Sequence, residues 1–433
     1  MFLHKEKINE KLSLSSIKTD KFKTSVLSVS ITAPISKTAY AYNLLLSHIL
    51  RRGTVSYPSV SLINKKLDEL YGSYLEIKNH KIGENISLVI LAEFLDSKYI
   101  PDSTDIVNEI IALISELILS PAFLEKDFPV SVFEHEKKII IDTINSEINN
   151  TRLYAAKRCV EMINEGEVEI PSSAELKELI SGATMQGLKE HYKALISTVP
   201  INIFSIGTEN EAKIADTFNT AFSEYPCVPS ASIIPPSPIQ KRTSISKTES
   251  MPVSQGKLAL AFTSGVTISN TDDRYYTMIL LNEIFGGSAS SKLFMNVREK
   301  LGICYYCSSS YSFYSGVMLV SSGFEVKNKD IAIKAIFEQL EDIKSKKISE
   351  YELYTAQRSL INTYRQLSDS PFDLQAFFGD RALFEINDGI KETEEKILKV
   401  TADDISELAK KIKLGASFFI EGTSQAKEDC DNE

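Results

Sequence analysis

The chain has 433 residues, too many for one ordinary hydrophobic core, so two or three domains are expected. Hydrophobic residues make up 43% and charged ones 24%, the balance of a globular protein, and the net charge of -10 argues against nucleic acid as a partner. No apolar run reaches the roughly 18 residues of a membrane span, and the charged N-terminal stretch lacks the apolar segment of a secretion signal.

In chain order, an apolar β-rich stretch VLSVSITAP (26–34) precedes a helical pattern LLLSHILRRG (44–53). A second helical pattern ending in glycine, LINKKLDELYG (62–72), leads into strand-like SYLEIKN (73–79). A long helical pattern IVNEIIALISELI (106–118) follows, and this half closes on a helix and the strand INIFSIGT (201–208). Residues 226–257 are rich in Pro and Ser. Proline fixes φ and removes a donor, so this segment cannot join a helix and makes a poor central strand. Beyond it the same order recurs: KLALAFTSG (257–265), ILLNEIFGGS (279–288), LFMNVREKLG (293–302), CYYCSSSYSFY (304–314), AIKAIFEQLEDI (332–343) and SFFIEGT (417–423).

Matched elements in one order and spacing indicate a tandem duplication. The period far exceeds that of solenoid repeats, so each copy is expected to be a domain with its own core. The expected division is 1–225, a linker at 226–251, and 252–433. Alternating strands and long helices, with hairpin-like neighbours at 304–312 and 315–324, predict an α+β fold. Each copy would be a mixed or mainly antiparallel sheet covered by helices.

These residues resemble the insulinase and pitrilysin family of zinc peptidases, in the shorter branch that includes the mitochondrial processing peptidase and its bacterial relatives. In that family the first helix carries an inverted HxxEH motif, followed shortly by Gly-Thr. Here Gly53-Thr54 sets the register, placing His48 on the second histidine, Leu44 on the first and Ser47 on the catalytic glutamate. The family's third ligand is a glutamate in a helix of the type VVxEEI. The best local match, Ile140-Ile141-Asp142-Thr143-Ile144, puts Thr143 there, with Asp142 one residue off. In a helix, residues 44 and 48 share a face and residue 47 lies beside them. Two histidines so placed chelate zinc, and the carboxylate activates the bound water. A leucine offers no lone pair and a serine hydroxyl is a poor base. The expectation is a chain with no metal, no cofactor and no catalytic residue.

The run Leu293 to Tyr305, LFMNVREKLGICY, is similar to the family's LFxxVREKLGLAY. The resemblance implies that Arg298 and Tyr305 hold the backbone of an extended peptide, the guanidinium fork and the phenol serving as donors. Gln255-Gly256-Lys257-Leu258, with the degraded first motif, resembles an inactive YfmF-type subgroup of Gram-positive bacteria. Members of that subgroup resemble partners of an intact zinc-bearing paralogue and have been associated with modification of elongation factor P. The resemblance thus implies the substrate-binding subunit of a heterodimer with a zinc-bearing homologue. The alternative is a stand-alone peptide- or protein-binding scaffold linked to that modification.

Each of these residues also has a plainer reading. His48 is either a leftover ligand or a histidine hydrogen-bonded to a neighbour. His80, His135 and His191 offer no second chelating pair, and the FEHEKK text around His135, with Glu134 and Glu136, reads as solvated surface. Arg298 and Tyr305 could be an ion-paired arginine and a sheet-packed tyrosine. Gly286-Gly287-Ser288 reads as a turn between helices, lacking the lysine spacing of a phosphate loop. Cys304 and Cys307 fit C-x-x-C, but residues three apart in a strand point to opposite faces, so the spacing reads as coincidence. The five cysteines (these two with Cys159, Cys227 and Cys430) suit a reducing, cytoplasmic setting. The charged tail at 424–433 is assigned no role.

Overall fold

The computed structural model describes residues 3–241, 243–269 and 271–422; the tail at 424–433, with Cys430, lies outside them. Among the described residues, eleven strands form two sheets. The first contains β1 (His4–Lys7), β2 (Leu12–Lys18), β3 (Thr24–Pro34), β4 (Tyr74–Ile82), β5 (Asn85–Leu95) and β6 (Ile201–Gly207), in the order β1-β2-β6-β3-β5-β4. The second contains β7 (Ile245–Met251), β8 (Gly256–Thr263), β9 (Cys304–Ser312), β10 (Val317–Phe324) and β11 (Lys413–Gly422), in the order β7-β11-β8-β10-β9. Leaving out β1, the two orders are the same position for position. In each sheet one pair alone is parallel, β2 with β6 and β7 with β11. The fold is α+β with two homologous sheets, and the shared strand order is the structural signature of the repeat.

Why these segments are strands is visible in β3 and β5. Both are rich in β-branched and apolar residues, and they pair along eleven positions from Thr24 opposite Leu95 to Pro34 opposite Asn85. Residues 245–251, read above as the end of the linker, are the edge strand β7. Its outward polar side chains suit an edge, where half the ladder faces solvent.

Helices α1 (Lys37–Ile49), α2 (Val60–Glu69), α3 (Ile106–Leu119) and α4 (Val130–Ser146) belong to the first half, followed by α5 (Thr151–Asn164). The two compact units are not simply the two halves of the chain. One consists of the described residues of Met1–Ile144, Glu169–Pro235 and Leu367–Gly389; the other of Asn145–Val168, Pro236–Gln366 and the described part of Ile390–Glu433. Thus α5, from the first half, covers the second sheet. Its Ala155, Cys159, Met162 and Ile163 are buried with Ala259, Ala261, Phe418 and Ile420 of that sheet. The helix Pro371–Leu383, from the second half, covers β3 and β6 of the first sheet, where Gln375 Nε2 donates to Ser28 Oγ at 3.2 Å.

One local feature corrects the sequence reading. In β9, Tyr306 lies opposite Gly323 but Cys304 lies opposite Phe324, so Tyr305 is an extra residue, a β-bulge. The bulge cancels one step of the alternation. Cys304 and Cys307 therefore point to the same face, not to opposite faces, and both are buried.

Candidate functional site

Helix α1 starts at Ser36, whose hydroxyl accepts from the Ala39 N–H, and runs into a 3₁₀ turn at Leu50–Arg52. Gly53 ends it at φ 155°; a Cβ there would lie 2.8 Å from the Pro58 carbonyl carbon, so the turn requires glycine. This places Leu44, Ser47, His48 and Arg52 along one side of the helical run. Leu44 packs against the core. The Ser47 hydroxyl donates to the Leu44 carbonyl at 2.7 Å. His48 Nδ1 lies 3.0 Å from Glu136 Oε2 on α4, and the Arg52 guanidinium contacts the other oxygen of the same carboxylate.

Glu136 is 1% exposed, so its charge is held away from water and answered by the Arg52 guanidinium, with the His48 ring beside it. Glu134 and His135, its chain neighbours, are exposed as expected, while Glu136 corrects the reading of FEHEKK as solvated surface. Thr143, two helical turns further along α4, is exposed, and its hydroxyl donates to the Ile139 carbonyl at 2.8 Å. The residue of α4 that faces His48 is Glu136.

Around these side chains lies a cavity of about 590 Å³, lined on one side by Leu44, Ser47, His48, Arg51, Arg52 and Glu136, and on the other by β4 from Tyr74 to Asn79. Arg51 Nη2 donates to Asn64 Oδ1 at 2.9 Å, and burial lowers its pKa from the usual value. β4 is the last strand of its sheet and pairs with β5 alone. The cavity therefore adjoins a strand edge.

The donor set does not fit zinc. Leu44 has no lone pair, Ser47 is bonded to its own helix, and the remaining pair, His48 and Glu136, engage each other and Arg52. Among the described residues no three His, Cys, Asp or Glu side chains converge in a way that could hold a metal. The other histidines are placed elsewhere: His80 Nε2 is 3.3 Å from Asp380 Oδ2, and His191 Nε2 is 2.8 Å from Asn43 Oδ1.

In the other unit, Arg298 lies on the helical segment Leu293–Lys300, which has wide, π-type turns. Its guanidinium sits 4.6 Å from the centre of the Phe294 ring and 3.6 Å from Glu299, with the side chain 40% exposed. Tyr305, the bulge residue, is 52% exposed. Neither is a buried packing residue. Gly286 is packed so closely that a Cβ would lie 2.6 Å from the Ser309 N, so the turn requires glycine there.

Comparison with known proteins matches residues 182–360 to the model of the peptidase M16 inactive domain. The matched stretch contains Arg298 and Tyr305. A probable inactive metalloprotease of Bacillus subtilis (strain 168), YmfF, is 28% identical over 95% of this chain and 96% of its own length. The chain is an inactive homologue of the M16 peptidases. The relative matched over nearly the whole chain carries the name YmfF, where the sequence reading writes the subgroup as YfmF-type. A conserved protein of Enterococcus faecalis V583 has a solved structure with TM-score 0.89 to this inactive homologue, at 26% identity over 98% of this chain and 99% of that one. An uncharacterized zinc protease of Bacillus subtilis (strain 168), YmxG, is 32% identical over 108 residues, 24% of this chain and 26% of that protein.

Sequence reasoning missed two residues of the M16-like site, Arg52 and Glu136. The signal for Glu136 is present: Phe133, Glu136, Lys137 and Ile140 stand at i, i+3, i+4 and i+7, the stripe of an inward face.

Proposed function

We propose that this chain is the non-catalytic, peptide-binding subunit of a heterodimer whose other subunit is a zinc-bearing M16 homologue, working in the bacterial cytoplasm. The observation that carries the reading is the cavity of about 590 Å³ kept beside the edge of β4, at a site that has lost its metal ligands. A site that had lost both chemistry and binding would be free to fill with side chains, since interiors are close-packed. An edge strand offers backbone donors and acceptors to an extended peptide, and the cavity beside it takes a side chain. Arg298 and Tyr305, exposed on the second unit, are donors of the kind that suits peptide carbonyls. The metal and the base come from the partner, for which the partial similarity to a protein named as a zinc protease is the model.

The test is to purify the chain alone and co-expressed with its nearest zinc-motif homologue, and to read complex mass and zinc content on the same samples. A metal-free lone chain and a one-to-one, zinc-containing complex are expected. Arg298→Ala is expected to weaken peptide binding about tenfold by removing charge-assisted hydrogen bonds. Absence of a complex, with unchanged activity of the reconstituted mixture in Arg298→Ala, overturns the heterodimer. Peptide binding without any homologue would instead favour the scaffold reading, with modification of elongation factor P as its setting.

A further inference from the structure

The cysteine pair in β9 has no part in the proposed function, yet the fold brings it together in an unusual way. Cys307 lies opposite Ser322 and Cys304 opposite Phe324. Ser322 and Phe324 are two residues apart on one strand, a span of about 6.8 Å, so the Tyr305 bulge folds three steps of β9 into the length of two. Both thiols face the same side, where the Ser322 hydroxyl donates to Cys304 Sγ at 3.3 Å. The separation of the facing residues falls at the upper end of the Cα range that a disulfide spans.

The electrostatics separate this pair from the other described thiols. The hydrogen bond from Cys307, against the opposing effect of burial and with help from Ser322, lowers the pKa of Cys304 below that of an ordinary thiol. The same bond and burial raise that of Cys307. Burial pushes Cys159 up to about 12 and also raises Cys227. Among the described cysteines, the thiolate form is thus favoured at Cys304, with a protonated thiol beside it as resolving partner. β9 is the outermost strand of its sheet, and Cys304 is its first residue.

We propose that Cys304 and Cys307 form an oxidisable dithiol that closes to an intrastrand disulfide, with a peroxide as the oxidant. The Cys304 thiolate attacks one peroxide oxygen, the O–O bond breaks, and Cys304 becomes a sulfenic acid as hydroxide leaves and takes up the proton that the Cys304 thiol had released, giving water. The Cys307 sulfur then attacks the sulfenic sulfur, the S–O bond breaks, and a second water leaves with the Cys307 proton. Two thiols are oxidised and one hydrogen peroxide is reduced to two waters. Closure draws in the bulge that presents Tyr305. That consequence for peptide binding rests on the function proposed above, whereas the dithiol chemistry does not.

The full chain, reduced and then exposed to hydrogen peroxide, is alkylated and mapped by peptide mass. The expected result is a peptide holding residues 304 and 307 that is lighter by two hydrogen atoms and unalkylated. It should form about tenfold faster than any oxidation of Cys159 or Cys227, and be restored by dithiothreitol. In Cys307→Ser, Cys304 is expected to accumulate as a dimedone-trappable sulfenic acid. If that variant fails to fold, the wild-type mass shift decides alone. The proposal is overturned if both thiols stay alkylatable while Cys159 or Cys227 oxidises, or if wild-type Cys304 proceeds to sulfinic acid without the bridge. Peptide affinity measured before and after oxidation reads the Tyr305 consequence separately, so its failure leaves the dithiol result standing.

Discussion

A carboxylate that is 1% exposed needs a counter-charge, and at Glu136 it is supplied by the Arg52 guanidinium, with His48 at hydrogen-bonding distance. Removing one partner of a buried pair leaves a charge desolvated without compensation, which costs several kcal/mol; Arg52 is 34% exposed, so water offsets part of that. Arg52→Ala is therefore expected to destabilise the chain by about 2 kcal/mol, and adding Glu136→Gln should recover most of it, both read from urea unfolding midpoints. The same charge arrangement opposes zinc. Leu44→His with Ser47→Glu is expected to bind zinc poorly, and adding Arg52→Leu should raise the affinity about tenfold or more by freeing the Glu136 carboxylate. Zinc titration of the two variants checks it; equal affinity would mean that Arg52 does not compete. The helical half of this site was legible in the sequence, because Leu44, Ser47 and His48 lie within one turn and their register hangs on Gly53 and Thr54. The α4 half was not, because Glu136 is surrounded in sequence by charged residues and only the packing stripe turns it inward.

Secondary structure elements dock through groups the sequence does not advertise. His191, on the helix Met185–Thr198, faces Asn43 of α1 and stacks on Tyr42. Burial pushes its pKa down to about 4 from 6.5, so the folded protein holds it neutral. The unfolded chain takes up a proton near pH 6.5 and the folded one only near pH 4. Between these values the unfolded state binds more protons, so stability falls as pH drops through the window and is at its full value above it. The loss attributable to His191 is on the order of 3 kcal/mol. His191→Gln, which keeps a partner for Asn43, should flatten the stability profile between pH 6.5 and 4 in denaturant melts at several pH values. The helices and most strands were legible from hydrophobic period, since burial selects it directly. The bulge at Tyr305 was not: a single extra residue leaves no mark in the pattern, yet it decides which face Cys304 presents. The edge strand β7 was hidden for a related reason, since a polar edge needs no apolar alternation.

For the molecule as a whole, the repeat was legible because five strands recur in the same order with similar connections. The exchange of helices between the halves was not, since α5 and the helix Pro371–Leu383 read as ordinary amphipathic segments wherever they dock. The composition of the units leads to a clear expectation for divided chains. A piece ending at residue 235 would leave β3 and β6 without the helix Pro371–Leu383, and a piece starting at 236 would leave β8 and β11 without α5. Each piece alone is expected to show helical and strand signals in circular dichroism but no cooperative thermal transition, whereas the two co-expressed should unfold with one. Cooperative melting of either piece by itself would show that the exchanged helix is dispensable.

The exchange also sets a schedule for the growing polypeptide on the ribosome. The first sheet has all its strands once Gly207 has been made, yet its covering helix ends only at Leu383; the second unit waits further, for β11 and its end at Gly422. For about two-fifths of translation, then, the strands of the first sheet are complete while the helix that covers β3 and β6 is still to be made. That interval, before the unit is complete, is when a nascent chain is most exposed to mispairing with its neighbours.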